Sequence, residues 1–110
     1  MIIGTVKEIK NHEYRVGITP DNAREYIKHG HIVLVETNAG LGANYTDQDY
    51  INVGANIVST AREVFEKADM VVKVKECLKE EFGYLREGQI LYTYLHLWGW
   101  NWKIKQRITP

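Results

Sequence analysis

Short runs of β-branched residues alternate with segments of helical period, and this alternation narrows the folds open to the chain more than any other feature. Ile2-Ile3 begins a first strand, and a long polar loop follows. Thr19-Pro20 reads as a helix start, with the hydroxyl at the N-cap and proline in the first turn. Ala23, Tyr26 and Ile27 supply that helix with an apolar stripe, and Gly30 supplies its stop. Ile32-Val33-Leu34-Val35 is apolar without interruption, the pattern of a strand covered on both faces. The segment 38–44 is rich in turn residues. Thr46-Asp47-Gln48-Asp49 resembles a capping box with aspartate in place of glutamate and predicts a short helix. Residues 55–58 form a brief strand. Ala61, Val64, Phe65 and Ala68 then fall at i, i+3, i+4 and i+7 of a helix for which Ser59 and Thr60 are natural caps. Residues 70–74 and 90–95 read as two further strands, the last of them presenting an apolar edge prone to association. Strands and helices in alternation imply an α/β fold with a mainly parallel sheet.

Composition sets the outer bounds. A chain of 110 residues is one domain at most, and large enough to bury a core. Fourteen basic residues balance fourteen acidic ones, so no overall charge draws the chain to nucleic acid or an anionic membrane. Cys77 is the only cysteine, which excludes an internal disulfide and suits a reducing compartment. With no apolar run approaching the roughly 20 residues of a membrane span, and no secretory leader pattern at Met1-Ile2-Ile3-Gly4, the expected location is cytoplasmic. The balance hides one asymmetry. Residues 98–110 hold Lys103, Lys105, Arg107 and all three tryptophans, and no acidic residue. Without those three cations, residues 1–97 carry 11 basic and 14 acidic groups, a net of −3.

In an open parallel sheet, ligands bind beyond the carboxyl ends of the strands. That rule selects Arg15, in the loop after the first strand, Lys75, directly after residues 70–74, and His96, directly after residues 90–95. The three suit a small keto or amino acid. Arginine grips a carboxylate through two parallel hydrogen bonds. Lysine stabilises charge growing on a keto oxygen, and histidine exchanges a proton near neutrality. The residue types also permit a plainer reading, in which Arg15 is a solvated loop charge, Lys73 and Lys75 mark an exposed strand end, and His96 is structural. Gly40-Leu41-Gly42 holds two positions of a dinucleotide fingerprint, but Tyr45 stands where the third glycine belongs, and the segment reads as a turn. His12, His29 and His31 have no companions at metal-ligand spacing, so no metal site is expected.

The stretch from Gly4 to Pro20, Gly-Thr-Val-Lys-Glu-Ile-Lys-Asn-His-Glu-Tyr-Arg-Val-Gly-Ile-Thr-Pro, resembles the amino-terminal signature of the alanine dehydrogenase / pyridine nucleotide transhydrogenase family. Val35-Glu36-Thr37-Asn38-Ala39-Gly40-Leu41-Gly42, Lys73-Val74-Lys75-Glu76 and Thr93-Tyr94-Leu95-His96-Leu97 are similar to its later blocks, in order and at matching separations. His96 at the end of its strand resembles the dehydrogenase branch. The resemblance implies a partial Rossmann-like domain and NAD-linked oxidative deamination of alanine to pyruvate and ammonia. In that family the matching arginine and lysine bind substrate and the histidine is the acid/base, which here are Arg15, Lys75 and His96. It also implies a homo-oligomer in the full-length family, with NAD held by a second domain that has no counterpart in this chain.

The same resemblance implies that residues 1–97 are an incomplete amino-terminal substrate domain, expected to bind no cofactor of its own and to be silent in catalysis when alone. Val6 and Cys77 stand where the family usually has proline, and Gly17 where it has alanine, departures expected to loosen loops beside the site. Residues 98–110 depart altogether. Shifting the reading frame of Trp98-Gly99-Trp100-Asn101-Trp102-Lys103 yields Gly, then Leu, Met or Val, then Glu-Leu-Glu, which has the character of a helix start, so a frameshifted tail is expected. Two other readings are kept: a transhydrogenase α-subunit fragment, and a small non-catalytic interaction module using its Trp/Lys tail.

Overall fold

Among the described residues a threonine starts each of three α-helices. The computed structural model describes residues 1–8, 14–74, 83–84 and 87–93. Thr19 caps α1 (Pro20–Lys28) in a capping box whose return bond is donated by the Thr19 N–H to Asn22 Oδ1, and Thr46 caps α2 (Asp47–Asn52) in a second box with Asp49. Thr60 caps α3 (Ala61–Lys67) by accepting the Glu63 N–H at 3.2 Å. Each hydroxyl satisfies a backbone donor that the first helical turn leaves without a partner. His29 caps the end of α1, and Gly30 takes the left-handed conformation (φ 90°) that turns the chain toward the next strand.

Five parallel strands, β1 (Ile2–Thr5), β2 (Ile32–Glu36), β3 (Asn56–Val58), β4 (Met70–Lys73) and β5 (Ile90–Thr93), form one sheet in the order β3-β2-β1-β4-β5. The expected α/β class and parallel sheet are therefore present. The fourth strand ends one residue before the sequence suggests; residues 94 and 95, expected in the fifth, lie outside the described residues. Both faces of the sheet are covered, which explains the unbroken apolar run in β2. On one face Ile3, Val33, Val35 and Val72 pack with Ala23 of α1 and Tyr50 of α2. On the other, Val64, Phe65 and Ala68 of the third helical segment pack on Val6, Val71 and Leu91. Gly4 lets that segment approach closely, since a Cβ there would lie 2.4 Å from a Val64 methyl.

Two of the family departures turn out to be packing features. Val6 is fully buried beneath α3. Gly17 lies directly on β4, where a Cβ would come within 2.2 Å of the Val72 carbonyl oxygen. The first fills the core and the second permits a backbone contact that a methyl group would hold apart. Cys77 lies outside the described residues.

Tyr50 ties α2 to the loop after β1. Its hydroxyl donates to the Ile18 carbonyl at 2.7 Å, with both residues fully buried. Burial, reinforced by Tyr45, Asp47 and Asp49, pushes the phenol well above its ordinary value of 10. The raised value means the neutral phenol stabilises the fold fully below about pH 10, and this contribution is lost as pH rises further. Tyr50→Phe leaves the Ile18 carbonyl without its donor, and should cost about 1–3 kcal/mol at neutral pH. Urea unfolding at pH 7 and pH 11 checks this: the variant should be the less stable at pH 7 and lose less than the parent on going to pH 11.

The edge strand β5 leaves Ile90 and Tyr92 each 43% exposed, beside a cleft that Tyr26, Met70 and Val72 share with Tyr92. An apolar parallel edge of this kind invites association. Sedimentation velocity is expected to show oligomers that increase with concentration and diminish in Tyr92→Lys; a concentration-independent monomer would contradict it.

Candidate functional site

The direction of chain travel reverses between β1 and β4. From β1 the chain runs outward through β2 to β3, then returns to β4 on the other side of β1. At such a switch the loops leaving adjacent strands part and open a crevice at the carboxyl edge. The β1–β4 ladder ends there, at Thr5 opposite Val72, and the Thr5 hydroxyl donates to the Val72 carbonyl at 2.8 Å.

Arg15 lies at this edge. It is exposed, and it lines a pocket of about 290 Å³ together with Val16, Thr19, Ala43, Tyr45 and Val74. It also belongs to the wall of a second cavity of about 260 Å³ that includes Lys7, Glu8 and Asn38. The first pocket sets a guanidinium against a largely apolar lining, an arrangement suited to a small molecule with a carboxylate at one end. Lys75 and His96 both lie outside the described residues, so of the three residues selected from the sequence only Arg15 has a described place. Val74, the residue before Lys75, shares the Arg15 pocket.

Lys73 does not fit the plainer reading of the strand end. Far from marking an exposed strand end, it is 1% exposed, and its Nζ lies 3.4 Å from Glu8 Oε1. The other oxygen of Glu8 accepts the Val74 N–H at 3.2 Å. The partners are 65 residues apart in sequence, and only the β1–β4 pairing brings them together. Ala43 and Tyr45 were also not singled out from the sequence; they reach the pocket because the turn after β2 folds back across the edge.

The glycine segment forms a turn, as expected, and it does not fit a dinucleotide. Gly40 accommodates the ring of Tyr50 and Gly42 the backbone of Tyr14; a Cβ would lie 2.8 Å from the first and 2.9 Å from the second. The Asn38 N–H and Thr37 hydroxyl, which face this turn, are already taken by the Asp47 carboxylate at 2.9 and 2.6 Å. A phosphate would meet that anion where it needs donors. Among the described residues there is also no cluster of three or more metal-ligating side chains, and no helix long and apolar enough to cross a membrane.

The family model described as "Alanine dehydrogenase/PNT, N-terminal domain" matches residues 4–109. An alanine dehydrogenase of Methanococcus maripaludis is 55% identical over 97 residues, covering 88% of this chain and 26% of the relative. One from Bacillus subtilis is 52% identical over 97 residues, covering 88% of this chain and 25% of its own. Among solved structures, an L-alanine dehydrogenase superposes with TM-score 0.84 at 48% identity, over 88% of this chain and 27% of that one. A transhydrogenase from Sinorhizobium meliloti gives TM-score 0.83 at 27% identity, over 94% and 30%. The two folds match equally well, so sequence separates the branches, and it favours the dehydrogenases.

Proposed function

The chain belongs to the alanine dehydrogenase/PNT family through its amino-terminal domain, and on that basis we propose that it forms the substrate-binding part of an NAD-linked alanine dehydrogenase. It spans about a quarter of the length of the curated relatives it matches, so the complete reaction, oxidative deamination of alanine to pyruvate and ammonia, requires parts that these residues do not supply. Arg15 takes the substrate carboxylate in two parallel hydrogen bonds. Lys75 stabilises the charge that grows on the keto oxygen. His96 exchanges the proton that water or the amine must lose. NAD has no cradle among the described residues, and this reading assigns the chain substrate binding and proton handling only.

The observation that carries the reading is the place of Arg15: a guanidinium in a small, largely apolar pocket at the switch point, with Val74 in the same wall. It is tested by titrating the isotopically labelled 110-residue chain with pyruvate and following backbone amide shifts. Arg15 and Val74 are expected to shift saturably, and Arg15→Ala should weaken binding about ten- to a hundred-fold, the loss of charge-assisted hydrogen bonds. The same sample should form no NADH from alanine. Absence of saturable shifts at those two residues would remove the pocket from consideration.

A further inference from the structure

Glu8 and Lys73 are the most deeply buried opposite charges among the described residues, with side chains 3% and 1% exposed. A buried ion pair gains little over a well-packed apolar pair, because taking both charges out of water offsets most of their attraction. Stability therefore gives a weak account of this pair, and its position gives a better one. It sits just past the last β1–β4 ladder position, where the two backbones cease to hold each other. There the Glu8 carboxylate spans two consecutive residues of the other chain segment, taking the Lys73 ammonium on one oxygen and the Val74 N–H on the second.

Side chains alternate along β4, so Val72 faces the α1 side of the sheet with Ile3 and Val16, and Val71 faces the α3 side. Val74 has the parity of Val72 and lines the Arg15 pocket; Lys73 has the parity of Val71. Lys73 thus lies on the face opposite Val74, Glu8 lines the neighbouring cavity that Arg15 also borders, and the backbone that the pair holds is the one bearing Val74.

We propose that Glu8 and Lys73 are positioning residues: a carboxylate–ammonium clasp that replaces the missing backbone ladder beyond Thr5 and Val72 and holds the Val74 wall at the separation from Arg15 that a small carboxylate requires. Lys73 places an opposite charge beside one oxygen of Glu8 while the other accepts the Val74 N–H. The clasp rests on the substrate reading given above only for the identity of the ligand.

A single substitution would strand the remaining charge in the core and endanger folding. The test therefore uses the double variant Glu8→Leu/Lys73→Met in the 110-residue chain, an apolar pair of similar volume. Two quantities are measured well below the melting temperature: the pyruvate dissociation constant and the hydrogen-exchange rate of the Val74 amide relative to that of Val72. The clasp predicts that pyruvate binds at least about tenfold more weakly and that Val74 exchanges at least about tenfold faster, with the variant fully folded. A merely structural pair leaves the dissociation constant of the folded population unchanged, because apparent affinity falls only by the folded fraction, and that result would overturn the proposal. If the parent chain does not bind pyruvate, the substrate reading fails by itself. The clasp is then decided by the Val74 exchange rate, supported by selective acceleration and overturned by none.

Discussion

His96→Ala, introduced into residues 1–97 joined to the remaining chain of an alanine dehydrogenase such as that of Bacillus subtilis, is expected to lower turnover by a hundred- to ten-thousand-fold. An acid/base group contributes only as the proton moves, so the loss should fall on kcat, with little change in KM. Lys75→Ala in the same fusion should lower kcat about a hundred- to a thousand-fold, the usual cost of removing one group aimed at developing charge. Arg15→Ala should differ in kind. A carboxylate clamp holds the ground and transition states alike, so KM should rise while kcat changes far less. Steady-state kinetics of the three fusions against the unsubstituted one separate these roles. A His96→Ala fusion with near-normal kcat would remove His96 from proton transfer, and a pure kcat effect for Arg15→Ala would end its assignment as the clamp.

Phe65→Ala is expected to destabilise the chain by about 3–5 kcal/mol, the range for deleting a buried aromatic ring. Phe65 is fully buried between α3 and the sheet, in one cluster with Val6, Val64, Val71 and Leu91, and its ring lies 5.8 Å from that of Tyr84. With few residues on this face, the cavity has little from which to refill. Domains of this size have about 5–15 kcal/mol in total, so the variant should be largely unfolded or melt more than about 12 °C lower. Circular dichroism during thermal and urea unfolding checks it. A loss below about 1 kcal/mol would show that the α3 face is not the closed core described here.

The local grammar of this chain was readable from residues alone. Threonine before a helical pattern predicts a cap because donor and acceptor lie within one turn; Thr19 and Thr46 cap as read, the Thr46–Asp49 box forms as read, and the structure adds Asn22 as the second member of the Thr19 box. The apolar run in β2 signals a strand covered on both faces because a period of two leaves no side free for water. The reading of Gly40-Leu41-Gly42 as a turn needed only the misplaced Tyr45. The placement of Arg15 at the carboxyl edge followed from strand order in time along the chain, since the loop after a first parallel strand must begin at that edge.

What tertiary structure alone decided was every relation between residues far apart in sequence. Lys73 looked like a strand-end charge because its partner, Glu8, is 65 residues away in sequence and arrives only through the β1–β4 pairing. Gly17 and Val6 looked like loosened loop positions, and they are close-packed because β4 and α3 come to lie against them. The order β3-β2-β1-β4-β5, and with it the switch point, is likewise absent from any local pattern, because parallel strands carry the same apolar signature wherever they stand in the sheet. Local propensity acts over one turn or one strand, whereas burial and ion pairing depend on which surfaces the whole chain brings together. That is why the elements of this protein were legible in its sequence and the walls of its pocket were not.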